Sequence, residues 1–245
     1  MLRNRRYLLF SAVLLLFAIV LISWTINTDN EDNNFVSFIA NPMTQNVQLY
    51  WKDDKGTKLK SLANLKKHVE SKKQQLQFGC NAGMYTMDHG PLGLYIENGE
   101  KVKSLNTDSG KGNFYLKPNG VFYLTKDHKA YVCETSQFKE TTTIQWATQS
   151  GPMLVIDGKI HSAFKQGSSN LNIRNGVGVL PDGRVLFAMS KAPVNLYDFA
   201  GYFLRKGCEN ALYLDGAVSR CYAPDQGCSQ LDGEFGVMIG VTLAE

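Results

Sequence analysis

Three short segments of the chain set reactive side chains among residues that bury little apolar surface. Cys80-Asn81-Ala82-Gly83-Met84-Tyr85 follows a predicted strand at Leu76–Gly79. Its small residues let the backbone approach a ligand, and Asn81 offers an amide that both donates and accepts. Arg174-Asn175-Gly176-Val177-Gly178 opens a second strand. A guanidinium beside glycines suits a planar, two-bond grip on phosphate or carboxylate. Leu214-Asp215-Gly216-Ala217-Val218-Ser219 carries an Asp-Gly pair without a clear strand on both sides. A hairpin therefore explains it less well than it explains the other Asp-Gly pairs. Each segment also has a purely structural reading. The first reads as a turn after a strand, Arg174 as half of an ion pair, and Asp215 as a turn or cap residue.

Other chemistries fail on spacing. Gly110-Lys111-Gly112 lacks the Walker pattern, and neither Gly-x-Ser-x-Gly nor His-Glu-x-x-His occurs. Asp88-His89 is an acid/base pair on paper, but such loop neighbours are usually solvated. The five cysteines (Cys80, Cys133, Cys208, Cys221 and Cys228) include no Cys-x-x-Cys, and the four histidines are far apart, so no metal site is expected. No cofactor is assigned. Cys221 and Cys228 are the only near neighbours among the cysteines and are the expected pair if disulfides form.

The elements that must position these segments read mainly as strands. Phe35–Ala40 and Val47–Trp51 are short and β-favouring, Ala211–Leu214 is a buried strand, and Phe235–Leu243 closes the chain. Four turn dipeptides lie between apolar runs, at Asn98-Gly99, Asn119-Gly120, Asp157-Gly158 and Asp182-Gly183, and predict four tight hairpins. Ser61 caps a predicted helix to Lys73, with Leu62, Leu65 and Val69 on one face. A second helix is predicted over Asn195–Lys206, ended by Gly207. The expected fold class is α+β, with one large mixed or mainly antiparallel sheet and a few packed helices.

The N-terminus sets the expected location. Arg3, Arg5 and Arg6 precede an uncharged stretch from Tyr7 to Thr28, whose apolar centre is Tyr7–Trp24. Eighteen helical residues rise about 27 Å, near the roughly 30 Å of a bilayer core. Arginines before the span, and Asp29, Glu31 and Asp32 after it, predict a single-pass membrane anchor with its N-terminus cytoplasmic. The run is long and no small-x-small pattern follows it, which favours an anchor over a cleaved signal peptide. Residues 1–28 are thus read as tail and anchor, and 29–245 as one domain on the periplasmic or extracellular side of the inner (cell) membrane. The net charge of +4 owes three positive charges to those arginines, so the domain is nearly neutral and no nucleic-acid footprint is left. The basic cluster from Lys52 to Lys73 reads as a solvated face.

In order, NAGMY, GPLGLYIENG, TQSGPMLVIDGKI, IRNGVGVLPDG and ALYLDGAVS resemble the phosphodiester glycosidase family, over about Phe78 to Gly240. Better-studied members tend to have Asn-Gly-Gly-Phe-Phe and Asp-Gly-Gly-Gly-Ser-Ser, where this chain has NAGMY and DGAVSR. The resemblance implies hydrolysis of a sugar-1-phosphodiester. In that reading Arg174 holds the anionic phosphate, and Asp215 activates water or attacks the anomeric carbon. Asn81 and Ser219 orient substrate oxygens, and Gly83, Tyr85, Asn175 and Gly216 complete the substrate-binding set. A phosphodiester is a good leaving group, so one carboxylate can serve where ordinary glycosidases use two. The rival reading is a binding module that holds a glycan or glycosyl phosphate without turnover.

Overall fold

The computed structural model describes residues 33–216 and 218–243. The chain divides into two units, Met1–Phe35 and Val36–Glu245. Among the described residues, every strand and helix lies in the second unit except for Phe35, the first residue of the first strand. The expected anchor at Tyr7–Thr28 lies outside the described residues. Among those described, no helix is long and apolar enough to cross a membrane.

Three antiparallel sheets replace the single large sheet expected. Their strands are β1 (Phe35–Ala40), β2 (Gln45–Tyr50), β3 (Leu76–Asn81), β4 (Tyr95–Glu97), β5 (Glu100–Lys103), β6 (Gly120–Thr125), β7 (Ala130–Glu134), β8 (Ile144–Ser150), β9 (Met153–Ile156), β10 (Lys159–Ile160), β11 (Asn175–Val179), β12 (Val185–Ser190), β13 (Ala211–Tyr213), β14 (Cys221–Ala223), β15 (Cys228–Ser229) and β16 (Met238–Leu243). The sheets run β1-β12-β11-β13-β9-β10, β15-β14-β3-β16-β2 and β5-β4-β8-β6-β7. The physical reason for three is coverage. Among the described residues, the two ten-residue helices, α1 (Leu62–Ser71) and α2 (Leu196–Arg205), are too few to cover a sixteen-strand sheet, so the sheets turn their apolar faces on one another. Phe78 of β3, Phe122 of β6 and Phe187 of β12 meet in that shared core. Phe78 stacks on Phe187 with centroids 5.1 Å apart, and Phe122 meets Phe187 edge-on at 6.1 Å.

Both helices form where the sequence predicts. Ser61 accepts from Asn64 N–H at 3.2 Å, and α1 buries Leu62, Leu65 and Val69 against Met238 of β16. Asn195 caps α2 through Asp198 N–H at 2.9 Å, and Gly207, with φ +89°, ends it. α2 buries Phe199 and Phe203 over β11. A Cβ on Gly176 would lie 3.2 Å from the Phe199 ring, and one on Gly178 would lie 2.9 Å from the Phe203 ring. The glycines beside Arg174 therefore seat this helix.

The turn signals divide. Asn98-Gly99 and Asp157-Gly158 join β4 to β5 and β9 to β10, with both residues of each pair at positive φ. Asp182-Gly183 lies in the β11–β12 hairpin, where only Gly183 has positive φ. Asn119-Gly120 is a correction, because it makes no hairpin. Asn119 is buried with its amide donating to Phe114 O at 2.9 Å, and Gly120 already pairs with Glu134 and Ser150 inside the sheet. The β6–β7 hairpin instead turns at Asp127-His128, where His128 takes φ +60°.

Candidate functional site

Strand ends of two sheets meet at one place. β11 starts at Asn175 and β13 ends at Tyr213; Gly176 opposes Tyr213, and Leu214 N–H extends the ladder to Asn175 O at 3.0 Å. From the other sheet, β3 delivers Asn81 at its C-terminal end. Asn175 Nδ2 donates to Asn81 O at 2.7 Å and to Asn81 Oδ1 at 3.1 Å, pinning the two sheets together. Asn81 Nδ2 donates in turn to the backbone carbonyl of Asp215, and Asp215 N–H donates to Ala82 O at 3.1 Å. Ser219 Oγ donates to Gly216 O at 3.1 Å, and Arg220 N–H to Asn81 Oδ1 at 3.0 Å. Thus Asn81, Asn175, Asp215, Gly216 and Ser219 come together. All are buried except Asp215, which is half-buried.

Arg174 joins this group through Tyr213, a residue that the motifs did not single out. Arg174 is 1% exposed, and its guanidinium donates from Nε to Val194 O at 2.7 Å and from Nη2 to Asn170 O at 2.8 Å. Nη1 donates to Tyr213 Oη at 3.2 Å, and the guanidinium carbon lies 5.5 Å from the Tyr213 ring centroid. Burial raises the Tyr213 phenol pKa, Arg174 lowers it, and the Asp215 charge raises it. The hydroxyl therefore lies within the fields of both groups. It also explains Gly216, since a Cβ there would fall 1.5 Å from Tyr213 Oη. The available signal was the alternation in Ala211-Leu212-Tyr213, an aromatic hydroxyl two residues before the acid, but an inward-facing strand tyrosine reads as core.

On the solvent side, Tyr85 is half-buried and donates its hydroxyl to Glu234 O at 2.8 Å. Its phenol is raised by burial first, then by Asp215 and Glu234. His89, considered from sequence with Asp88 and set aside as a solvated loop neighbour, stacks on Tyr85 at 5.5 Å and places Nε2 3.5 Å from Glu234 Oε1. Asp88 pairs with Lys58 at 3.4 Å. Arg220 Nε bonds both carboxylate oxygens of Asp232 at 3.0 Å. Gly83 packs against β8, where a Cβ would meet Thr148 Oγ1 at 2.3 Å and Gln149 O at 2.6 Å. The protein itself fills the space beside Gly83.

A half-buried carboxylate on an amide-pinned loop, backed by a buried cation and a phenol and flanked by a second phenol, defines a sheet-dominated α+β protein with a polar site at its strand ends. The phosphodiester glycosidase family model matches residues 74–231, and the chain belongs to that family. It is similar to YigE, an uncharacterised protein of Escherichia coli strain K12, with 40% identity over 187 residues, covering 76% of this chain and 73% of that one. Among solved structures, the fold is similar to the catalytic domain of zebrafish N-acetylglucosamine-1-phosphodiester alpha-N-acetylglucosaminidase (TM-score 0.54, 13% identity, 86% of this chain and 84% of that one). It is also similar to a putative exported protein from Burkholderia pseudomallei K96243 (0.56, 10%, 86% and 74%) and to a hypothetical protein from Synechocystis (0.52, 13%, 86% and 59%). At these identities the structural likenesses establish the fold alone.

Proposed function

We propose that the chain hydrolyses a sugar-1-phosphodiester, releasing the free sugar and the phosphate-linked remainder, on the outer side of the membrane to which Tyr7–Thr28 anchors it. Family membership supports the reaction class. The observation that carries the site is the Asp215 loop, whose backbone is fixed at both N–H and C=O by Ala82 and Asn81 while the side chain stays half-buried. A carboxylate so placed keeps access to substrate without losing its orientation. Asp215 accepts the proton of the attacking water, or attacks the anomeric carbon itself, and the phosphate leaves as an anion that needs little protonation. Arg174 supplies positive charge from within the fold. Three of its N–H groups are committed to Val194, Asn170 and Tyr213, so its influence on the phosphate runs partly through the Tyr213 hydroxyl. Asn81, Asn175 and Ser219 hold the loop, Gly216 makes room for the phenol, and Tyr85 flanks Asp215 on the solvent side.

The test is to incubate the domain with aryl-phosphate sugar diesters in heavy-oxygen water. Turnover with the label on the sugar hydroxyl supports attack at carbon, whereas label on phosphate would reassign the reaction to phosphorus. Saturable binding without turnover would make the chain a glycosyl-phosphate binding module. Neither turnover nor binding would remove both readings.

A further inference from the structure

The hairpin next to the Asp215 loop brings two thiols together. β14 and β15 pair Tyr222 with Ser229 and Ala223 with Cys228, so Cys221, two residues before Ala223, faces the same side as Cys228. Cys221 is buried and Cys228 half-buried, and their sulfurs lie 2.8 Å apart. Only two residue pairs join these strands, and the turn between them is a single 3-10 turn, Pro224–Gln226. So small a hairpin holds itself weakly. Yet its first strand is continuous with Arg220, whose N–H bonds Asn81 Oδ1, and it pairs with β3 at Cys221–Cys80. We infer that Cys221 and Cys228 form a disulfide that locks this hairpin and thereby fixes Arg220 against Asn81. Cys80 is the competing partner as the cross-strand neighbour of Cys221, but Cys228 is the thiol in contact and the one solvent reaches.

The step is ordinary thiol–disulfide exchange. The Cys228 thiolate attacks one sulfur of an external disulfide and expels its other sulfur as a thiol. The Cys221 thiolate then displaces the remaining external sulfur as a second thiol. Two protein thiols are oxidised to one disulfide, one external disulfide is reduced to two thiols, and both protons pass to the departing sulfurs. The inference stands whether or not the chain turns over phosphodiesters.

The experiment exposes the full chain to oxidised glutathione, alkylates the remaining thiols and maps the peptides by mass spectrometry. The expected result is a linked Cys221–Cys228 peptide lighter by two hydrogens, with Cys80, Cys133 and Cys208 alkylated. Alkylation of both Cys221 and Cys228, or a link from Cys221 to Cys80, would overturn it. Reductant should lower Tm by about 5–10 °C in the oxidised protein and leave Cys228→Ser unmoved; an equal fall in the variant would count against the bridge. Amide exchange at Arg220 should quicken about tenfold on reduction while β16 amides hold. Unchanged exchange there would refute the locking role even if the bridge forms.

Discussion

Asn81 donates a side-chain N–H to the backbone carbonyl of Asp215, 134 residues further along the chain. With Asn175 and Arg220 bonded to the same amide, one buried asparagine joins two sheets and the candidate carboxylate loop. Asn81→Ala leaves several buried polar groups without partners at once. The expected cost is about 2–3 kcal/mol of stability, read from urea unfolding, together with reduced turnover. An unchanged midpoint and rate would show that the amide is dispensable.

Asp215→Asn keeps the volume and removes the charge. Turnover of an aryl-phosphate sugar diester should fall by roughly 100- to 10,000-fold, with binding retained when measured by calorimetry. Full activity in this variant would hand the chemistry to another group.

Arg174→Lys keeps a positive charge but loses the fork. One ammonium on a flexible stem cannot match the guanidinium's simultaneous bonds to Val194 O, Tyr213 Oη and Asn170 O. The expected outcome is a loss of about 2–3 kcal/mol as well as slower turnover. Slower turnover at wild-type stability would instead mean that the side chain serves the substrate alone.

Gly216→Ala tests the packing of Tyr213. The added carbon would overlap the phenol oxygen, so the tyrosine must move and its contact with Arg174 must break. A loss of about 1–3 kcal/mol is expected, with the Tyr213 ring shifted in a crystal structure of the variant. A Tyr213 that stays in place would refute the arrangement.

Alkaline pH should unfold the protein early. Burial pushes the Tyr50 phenol from 10.0 up to about 12 and holds Tyr95 and Tyr213 above their usual value. The unfolded chain therefore releases these protons first. Stability is full below pH 10 and falls as pH rises towards 12, by about 3 kcal/mol from Tyr50 alone. Tyrosinate absorbance that titrates fully near pH 10 without unfolding would contradict this.

The sequence by itself determined the elements whose signals are local. Ser61 and Asn195 are side-chain caps, and Gly207 is a left-handed stop, so both helices form where expected. Asn98-Gly99 and Asp157-Gly158 turn because those residues tolerate positive φ. The family was legible in five motifs that keep their order along the chain.

Tertiary structure alone decided what depends on partners remote in sequence. Asn119-Gly120 has the same local signal as a true turn, yet Phe114, Glu134 and Ser150 claim its polar groups for a sheet interior. The division into three sheets follows from which apolar faces can cover one another, a property of the whole chain and not of any strand. Gly176 and Gly178 were read as companions of an anion-gripping arginine, and only the position of α2 shows that they make room for Phe199 and Phe203. Tyr213 lies two residues before Asp215, but its link to Arg174 depends on a side chain 39 residues away arriving at the start of the neighbouring strand β11. Local backbone preference is written residue by residue, whereas the pairing of buried polar groups is settled only when distant segments compete for the same donors and acceptors.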